Sequence, residues 1–322
     1  MTLQLSVITC SHNPRLDYLD LVTQALAEQT LDKNCWEYLL IDNGSTEPLS
    51  QRADLSWHPH GRHVREEKLG LTNARLRGIQ ESSGELLVFV DDDNVLDADY
   101  LEQVKHIYAD WPRIGAFGGQ VRPRFEETPP AWTKPYWSKL AVKAFDKDRW
   151  SNIPGCSDTT PQGTGLCVHR KVANEYVGYH TTGKRKLMLG RTGESLLSGE
   201  DIDLAATACD LGLGNGLFPA LKLEHLIPPE RLEEDYLARL LEAEAFTIEV
   251  LVSLRSDWAP RPHSLRTIMA DQVRLLFLDR RRRRFFRARK VGREKATRFL
   301  SGNIAIDRKG EPSITQALDR RG

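Results

Sequence analysis

Blocks of apolar, β-branched residues alternate with segments of helical periodicity over the first two-thirds of the chain. The stretch LQLSVITC (3–10) predicts a buried strand, and apolar residues three or four positions apart then predict an amphipathic helix, at Leu16, Leu19, Val22 and Leu26. Four later stretches also predict strands: WEYLLIDNGS (36–45), GELLVFVDDDN (84–94), IGAFGGQV (114–121) and GLFPALKLEHL (216–226). Strands that alternate with helices are typical of a parallel α/β sheet.

Helices are predicted between these strands at LTNARLRGIQES (71–82), DADYLEQVKHIYAD (97–110) and GEDIDLAATACDLG (199–212). Asp97 is the predicted N-cap of the second helix, and Gly212 lies near the predicted end of the third. From Arg122 to Pro161 the periodicity is weak and Pro, Trp and Lys are frequent, which predicts an extended loop region. From Pro229 onward the pattern is helical.

The composition is that of a globular protein without a global charge bias. The 322 residues are 40% hydrophobic and 28% charged, and 45 Lys and Arg residues balance 45 Asp and Glu residues. Five cysteines without a CxxC pair argue against a disulfide framework or a zinc site and favour a reducing cytoplasm. The N-terminus lacks the pattern of a secretory signal, and no apolar run reaches the roughly 20 residues that span a bilayer.

Polar side chains follow three of the predicted strands at the point where each strand ends. They include Asn13, Asp42 and the run Asp91–Asp92–Asp93–Asn94. Because ligands of open α/β sheets bind at the carboxyl ends of the strands, we expect these side chains to share one crevice. Adjacent carboxylates repel unless a cation lies among them, and Mg²⁺ or Mn²⁺ prefers carboxylate and phosphate oxygens. The run therefore predicts a divalent metal with a diphosphate ligand; the alternative is a turn held by local hydrogen bonds.

Five motifs together resemble the family 2 glycosyltransferases with a GT-A fold. In order they are SVITCSHNPR, LLIDNGST, GLTNARLRGI, VFVDDDN and SGEDIDLA, and they cover about residues 3 to 227. The resemblance implies a Rossmann-like, mainly parallel central sheet flanked by helices, with a C-terminal helical extension. It also implies an inverting transferase that moves a sugar from a nucleotide donor to an acceptor with Mg²⁺ or Mn²⁺.

The resemblance also implies a domain organisation. Residues 1–228 form the catalytic domain, with a nucleotide-sugar-binding half at about 1–121 and an acceptor-binding half at about 122–228. Residues 229–322 form the helical extension, which contains a basic segment at 279–298.

Several residues on the donor side match motif positions of the family. Asp93 is the implied direct metal ligand, with Asp91 and Asp92 at the ribose or in the metal shell; the triple aspartate leaves the register open, so Asp91 is a second candidate ligand. The implied donor-binding residues are Thr9, Asn13, Arg15, Asp42, Asn73 and Arg75, of which Asp42 would read the edge of the base. The alternatives are a turn or cap role for Asp42 and ordinary helix-start or surface roles for Asn73 and Arg75.

The SGEDIDLA motif implies the catalytic residues. An acceptor hydroxyl is a poor nucleophile until a base removes its proton, and Asp201 is the implied general base. Glu200 would orient the acceptor or the base. The alternative is that both acids cap the start of a helix, where negative charge is favoured.

Two further segments carry candidate site residues. In the loop QGTG, Gly163, Thr164 and Gly165 would lie against the donor sugar and acceptor, or would form a plain turn. His225, after the last strand, is either a late metal ligand or a structural histidine. The aromatic side chains of Trp132 and Trp137 offer flat faces for a sugar, or else they pack in a core.

The C-terminal region allows more than one interpretation. The arginine run 280–284, followed by two phenylalanines, fits a basic amphipathic helix on anionic lipid and thus a lipid-linked acceptor. The alternative is a solvated basic face; nucleic acid is not expected, because no recognised module accompanies the run. The acidic helix that precedes it predicts either packing on the catalytic domain or a homodimer surface.

The pattern as a whole predicts a metal-dependent inverting glycosyltransferase that builds a polysaccharide or glycolipid of a cell envelope. A UDP-sugar is the expected donor, with dTDP- and GDP-sugars open, and the expected location is the cytoplasm or the inner face of the cell membrane. One alternative is a nucleotidyltransferase, although TCSHNPR is not the Gly-rich basic loop that such enzymes place after the first strand. The other is a catalytically inactive glycan-binding or scaffolding relative, which would have no use for clustered carboxylates.

Overall fold

The computed structural model describes residues 4–155, 158–185, 189–192, 195–255, 265–302, 305–306 and 312–313. Two compact units result. The first contains Met1–Thr128, Leu140–Met188 and Glu200–Pro228, and the second contains Pro129–Lys139, Leu189–Gly199 and Pro229–Gly322. Of the cysteines, Cys10, Cys35 and Cys167 are free thiols, and Cys156 lies outside the described residues.

The first unit is built on a nine-stranded sheet in the order β3-β2-β1-β4-β8-β6-β9-β5, with β7 paired to β9. The strands are β1 (Leu5–Ser11), β2 (Trp36–Asp42), β3 (Gly61–Arg65), β4 (Leu86–Phe89), β5 (Asn94–Leu96), β6 (Ile114–Phe125), β7 (Arg149–Ser151), β8 (Leu166–His169) and β9 (Gly214–Ile227). The first four strands run parallel, as does the β6–β9 pair. The other pairs are antiparallel.

The predicted α/β sheet flanked by helices is confirmed, but it is more mixed than a mainly parallel sheet. β8 lies antiparallel between β4 and β6. It enters the sheet after the long segment 126–165, whose described residues (126–155 and 158–165) carry only a 3₁₀ helix (Ala131–Leu140) and the short β7. Because no helical βαβ crossover leads into β8, nothing requires it to run parallel to its neighbours.

Helices cover both faces of this sheet. They are α1 (Leu16–Ala27), α2 (Leu71–Glu81), α3 (Tyr100–Asp110), α4 (Arg170–Thr181) and α5 (Glu200–Asp210). Neighbouring residues of one strand belong to different apolar clusters: Val7 and Leu40 pack in one, and Ile8 and Ile41 in the other. Burial on both faces explains why the central strands read as continuous apolar runs.

The predicted N-cap of α3 is wrong. The helix begins at Tyr100, and its N-cap residue is Asp99. Asp97 contributes its backbone carbonyl, which accepts from the Tyr100 N–H over 3.0 Å, and its carboxylate pairs with Arg122. The charge of Arg122, on the neighbouring part of β6, thus draws the carboxylate away from the helix start.

The second unit contains the predicted C-terminal helices. They are α6 (Glu234–Arg255), α7 (Leu265–Leu276) and α8 (Arg280–Leu300), followed by two-residue strands β10 (Ala305–Ile306) and β11 (Pro312–Ser313). α8 packs on α6 at Gly292, where an added Cβ would lie 2.1 Å from the Glu242 carbonyl oxygen. The buried Phe285 of α8 packs against the ring of Tyr136, with ring centroids 4.8 Å apart. In the described part of the chain, every helix is too short or too polar to cross a membrane.

We expect two glycine-to-alanine substitutions in the first unit to change stability in opposite directions. An added Cβ at Gly119 in β6 would lie 2.1 Å from the Leu221 carbonyl oxygen, so Gly119→Ala should lower the free energy of unfolding by about 1–3 kcal/mol. Gly178 lies within α4 with nothing within 4 Å of its Cβ position. Gly178→Ala should raise stability by up to about 1 kcal/mol.

Urea unfolding curves of the two variants and the wild type measure both effects. Equal stability of the Gly119→Ala variant and the wild type would contradict the close approach of β6 and β9.

Candidate active site

The acidic segment between β4 and β5 makes a turn in which the three carboxylates meet different donors. The Asn94 N–H donates to the Asp91 carbonyl over 3.0 Å, which closes the turn. Ser11, at the end of β1, donates its hydroxyl to Asp92. The Asn94 side chain donates to Asp93 over 2.9 Å. Separate donors therefore offset part of the repulsion between adjacent charges.

Asp93 faces a histidine on the neighbouring strand. The β5–β9 register places His225 opposite Asn94, and His225 Nε2 lies 3.3 Å from Asp93 Oδ2, with both residues buried. His225 Nδ1 lies 2.9 Å from the Leu140 carbonyl oxygen, which only accepts, so Nδ1 carries the ring proton. In this tautomer Nε2 carries a lone pair that faces a carboxylate oxygen. A cation between the two atoms would interact favourably with both.

The Asp93–His225 pair would supply two protein ligands to a divalent cation. Asp93 and His225 would be the ligands, and Asp91 lies two residues before Asp93. Within the described ranges, no group of three or more His, Cys, Asp or Glu residues could hold a metal ion by itself. A Mg²⁺ or Mn²⁺ ion here would take its remaining ligands from water and a bound diphosphate, as is usual for Mg²⁺.

A buried arginine connects the two acidic motifs. Arg75 on α2 is 3% exposed; its Nη1 lies 3.0 Å from Glu200 Oε1 and its Nη2 lies 3.3 Å from Asp91 Oδ1. Its guanidinium also lies over the Phe89 ring, 5.6 Å from the centroid. Burial opposes the charge on Arg75, but Glu200, Asp91 and Asp201 outweigh that effect and raise its pKa. Arg75 is therefore a permanently charged centre between motifs that are 109 positions apart at Asp91 and Glu200.

The start of α5 fixes the orientation of Asp201. Its Oδ2 accepts from the Gly163 N–H over 2.6 Å, and its Oδ1 accepts from the Ile202 N–H over 2.8 Å. An added Cβ at Gly163 would lie 2.7 Å from Arg75 Nη2 and 3.3 Å from Asp201 Oδ2. A side chain at position 163 would therefore crowd Arg75 and Asp201, which the QGTG loop passes closely.

Glu200 is the buried member of the acidic pair. One oxygen pairs with Arg75, and the other, Oε2, is buried without a hydrogen-bond partner among the residues the structure describes. Burial raises the pKa of Glu200 to about 7; Arg75 opposes the rise, and Asp201 and Asp91 add to it. The unpartnered oxygen is suited to a hydrogen bond with a bound molecule or with water.

Asp42 holds the loop after β2. Its Oδ1 accepts from the Ser45 N–H over 2.9 Å, and its Oδ2 accepts from the Leu49 N–H over 3.1 Å and from Arg65 over 2.6 Å. Burial opposes ionisation, but the bonds from Ser45, Leu49 and Arg65 outweigh it and lower the pKa of Asp42. The turn role is thus the one that these contacts describe, and recognition of a base stays a prediction.

The first loop is held in place mainly by other loops. Asn13 has a φ of 48°, in the left-handed region, and its N–H and side-chain oxygen bond to the loop after β2. Arg15 is exposed and forms ion pairs with Asp17 and Glu126. Thr9 is fully buried in β1.

Other predicted donor and acceptor residues have local contacts. Asn73 donates to the Leu69 carbonyl over 2.8 Å. Thr164 lies in the turn before β8. Gly165 has a φ of +68°, and its carbonyl accepts from the Tyr100 hydroxyl over 2.7 Å. The group that lies close to the Gly165 backbone is therefore the Tyr100 hydroxyl of the protein itself.

The two tryptophans belong to the second unit. Trp132 packs 6.3 Å from the Phe285 ring, and the Arg281 guanidinium lies 3.9 Å from its ring centroid. Trp137 donates its ring N–H to Thr133 over 3.1 Å. Trp132 has a packing role, and a sugar-binding role for either tryptophan stays a prediction.

Of the predicted site residues, the structure brings five into one network of contacts: Asp91, Arg75, Gly163, Glu200 and Asp201.

Three contributors were missed by sequence reasoning. Arg65 lies directly opposite Asp42 in the parallel β2–β3 register, so aligning the strand ends would have paired them. Ser11 is the last residue of β1, and its position at a strand end was a signal of the same kind. The Leu140 carbonyl that orients His225 has no signal in the sequence.

The chain is similar to known proteins in sequence and in fold. Residues 6–162 match the family model described as Glycosyl transferase family 2. The structure of S. aureus TarS is similar over 95% of this chain, with 13% identity and a TM-score of 0.50; the chain spans 56% of that TarS chain. The structure of S. aureus TarS 1–349 in complex with UDP-GlcNAc is similar over 95% of each chain, with 12% identity and a TM-score of 0.50.

No curated protein sequence gives a significant match to the chain. At these identities the structural likeness shows the fold, and it confirms the predicted GT-A architecture.

We expect the substitution Glu200→Gln to remove one pH-dependent part of the stability. The pKa of Glu200 is about 7 in the folded chain and near 4.5 when unperturbed. Between these pH values the folded state holds a proton that the unfolded state has lost, so the free energy of unfolding falls as pH rises, and the effect is flat above pH 7.

Relative to the variant, the wild type should lose up to about 3 kcal/mol between pH 4.5 and 7 in urea unfolding with a chelator present. Glu127→Gln, at an exposed position, is the control and should follow the wild type. Parallel curves for the wild type and Glu200→Gln would contradict a raised pKa.

Proposed function

We propose that the chain, whose residues 6–162 match the family model of glycosyl transferase family 2, is an inverting, divalent-metal-dependent glycosyltransferase. The proposed donor is a UDP-sugar, and the proposed acceptor is a hydroxyl of a glycan or a lipid-linked molecule. The proposed product is a polysaccharide or glycolipid of a cell envelope, made in the cytoplasm.

One observation carries the proposal. Arg75 bonds to Asp91 at the end of β4 and to Glu200 at the start of α5. The motif that would bind the donor diphosphate and the motif that would activate the acceptor therefore share one buried charge. Such an arrangement supports a single displacement, in which donor and acceptor groups must meet at one carbon.

Asp201 is the proposed general base. Its carboxylate is half-buried and is oriented by the N–H groups of Gly163 and Ile202. As the acceptor oxygen bonds to the anomeric carbon, the carbon–oxygen bond to the diphosphate breaks and its electron pair leaves with the diphosphate. The acceptor proton passes to Asp201. Attack opposite the leaving group inverts the anomeric carbon.

Glu200 is proposed to orient the acceptor. Its Oε2 is the buried oxygen without a partner among the described residues, and Arg75 fixes its other oxygen. An acceptor hydroxyl that bonds to this oxygen would be held beside Asp201, the next residue. Burial makes this bond stronger than it would be in water.

Asp93 and His225 are the proposed metal ligands, with Asp91 as a further candidate. Their facing oxygen and nitrogen atoms support a cation between them. When bound, Mg²⁺ or Mn²⁺ would neutralise charge that develops on the departing diphosphate. The protein contributes a buried pair whose orientation is set by Leu140 and Asn94.

The proposed UDP-sugar donor is supported only by structural similarity to TarS. The TarS 1–349 structure is described as a complex with UDP-GlcNAc, which supports a UDP-sugar for this chain. The loop held by Asp42, between Ser45 and Leu49, together with Asn13, is the proposed wall of the nucleoside site.

We expect Asp201→Asn to lose sugar transfer while it keeps donor binding. Asparagine retains an oxygen for the Gly163 N–H but is not a base, so turnover should fall by about 10²–10⁴-fold. Release of UDP from a panel of UDP-sugars measures turnover, and titration with UDP measures binding.

Asp210→Asn, at the exposed end of the same helix, is the matched control and should stay within about twofold of the wild type. Unchanged turnover in Asp201→Asn would remove Asp201 as the base.

We expect Mn²⁺ and UDP together to stabilise the protein far more than the sum of their separate effects. At concentrations about 100-fold above the dissociation constant, binding adds about 2.7 kcal/mol, or about 5 °C in melting temperature. Asp93→Asn should lose the metal-dependent part of the shift, whereas the exposed Asp99→Asn should keep it. A protein that no nucleoside diphosphate stabilises in the presence of Mn²⁺ would contradict the proposal.

A further inference from the structure

Helix α7 carries a stripe of exposed apolar side chains. Met269, Val273 and Leu276 are 68%, 55% and 76% exposed, and Phe277, immediately after the helix, is 85% exposed. The spacing of four and three positions places the first three on one face of the helix. We call these four residues the apolar stripe. Large apolar side chains exposed side by side are typical of an interaction surface.

Helix α8 presents a basic face to solvent. It contains eleven Lys and Arg residues and one acidic residue. Phe285, Gly292 and Ala296 form its buried side against the rest of the unit. Arg280, Arg287, Lys290 and Arg298 lie on the opposite side, within about 80° of one another at about 100° per residue. We call these four residues the basic face.

The basic face is not neutralised within the described part of the chain. Basic residues on the flanks of α8 do have partners: Arg284 pairs with Asp235 and Lys295 pairs with Glu242, both over 2.5 Å. Arg280, Arg287, Lys290 and Arg298 form no ion pair with any residue that the structure describes. By the same angular count Glu294, the single acid of α8, also lies on this side, so the face carries four basic residues against one acid. This net positive charge attracts an anionic partner.

Contacts of two arginines hold the apolar stripe beside the basic face. Arg283, next to the basic face, donates to the carbonyls of Leu275 and Leu278, both over 3.1 Å. The guanidinium of Arg274 on α7 lies 5.7 Å from the ring centroid of Phe286 on α8. The end of α7, with the most exposed residues of the stripe, is thereby fixed against α8.

We propose that the apolar stripe and the basic face form one docking surface for an anionic lipid membrane. The basic face meets lipid phosphates, and the side chains of Leu276 and Phe277 enter the acyl boundary. This inference does not depend on the proposed function. A second copy of the chain fits less well, because self-association would bring two basic faces together. A nucleic acid would satisfy the charges but leave the apolar stripe without a role.

Binding of the full chain to vesicles tests the proposal. We expect it to sediment with vesicles of phosphatidylcholine and phosphatidylglycerol, and not with phosphatidylcholine alone, and binding should weaken as salt increases. Absence of binding to the anionic vesicles would overturn the proposal, as would equal binding to both.

Two substitutions with matched controls separate the charge from the apolar contact. Arg287→Gln should weaken vesicle binding about fivefold, since each basic residue at the surface contributes about that factor. Arg289→Gln makes the same change on the same helix, about 160° away from Arg287, and should have a smaller effect. Phe277→Ser should weaken binding about tenfold or more, whereas Ile153→Ser, at an apolar residue that is 63% exposed in the first unit, should not.

Equal losses from Arg287→Gln and Arg289→Gln would show diffuse charge attraction and overturn the surface. If Phe277→Ser converts a lipid-free dimer to a monomer, the stripe is a dimer contact and the proposal is wrong. If the chain binds RNA with dependence on Arg287 and not on Phe277, and ignores vesicles, the partner is a nucleic acid. Far-ultraviolet circular dichroism and melting curves confirm that each variant is folded.

Discussion

The guanidinium of Arg75 is the interaction on which the candidate site depends. It is almost completely buried and balances Glu200, Asp91 and the nearby Asp201. Removing one partner from a buried charge group costs about 3–5 kcal/mol, because the remaining charges stay buried and unpaired. Arginine suits this position better than lysine, since its planar fork can donate to two carboxylates at once.

The same charge sets the properties of its neighbours. Without it, two acidic motifs would bring like charges together in a place that water reaches poorly. With it, Asp91 and Glu200 are held on opposite branches of one group, and the glycine at 163 lets a loop pass beside them. Even so, Glu200 remains a carboxyl whose pKa is raised by burial. Arg75 offsets that burial only in part, which leaves one oxygen of Glu200 suited to a ligand.

The sequence predicted the main strands, four of the five helices beside the sheet and the acidic strand end, because each depends on local periodicity or on the position of a strand terminus. It did not predict α4 or β8. It could not give the direction of β8, which is decided by a long segment without a regular crossover. Asp97 was predicted as a helix cap because a local sequence pattern does not include Arg122, which lies on β6 and pairs with its carboxylate. Arg75 itself was a predicted donor-binding residue, with a surface arginine as the alternative. Its burial follows only from the packing of α2 against the strand ends.

Predicted site residues differ in the same way. The pairing of His225 with Asp93 follows from the register of β5 and β9. The sequence predicts that register only if one already knows that β5 pairs antiparallel with β9. The contacts of Asp42 arise from its own loop and from Arg65 across one strand pair, so they are nearly local. Trp132 could be interpreted as a sugar-binding residue because a sequence does not distinguish a tryptophan in a core from one in a binding site. Its contacts with Phe285 and Arg281 depend on a helix that lies 150 positions further along the chain.

The balance of 45 basic and 45 acidic residues conceals a separation of charge between the two units. The first unit gathers carboxylates around the strand ends, where an anionic diphosphate is acceptable only if cations accompany it. The second unit gathers eleven basic residues on α8, where an anionic surface needs no further cation. Under the two proposals, both arrangements would bind phosphate, by opposite means. Net charge therefore says little about the partners of this protein. The positions of Arg75 and of the basic face of α8 say more.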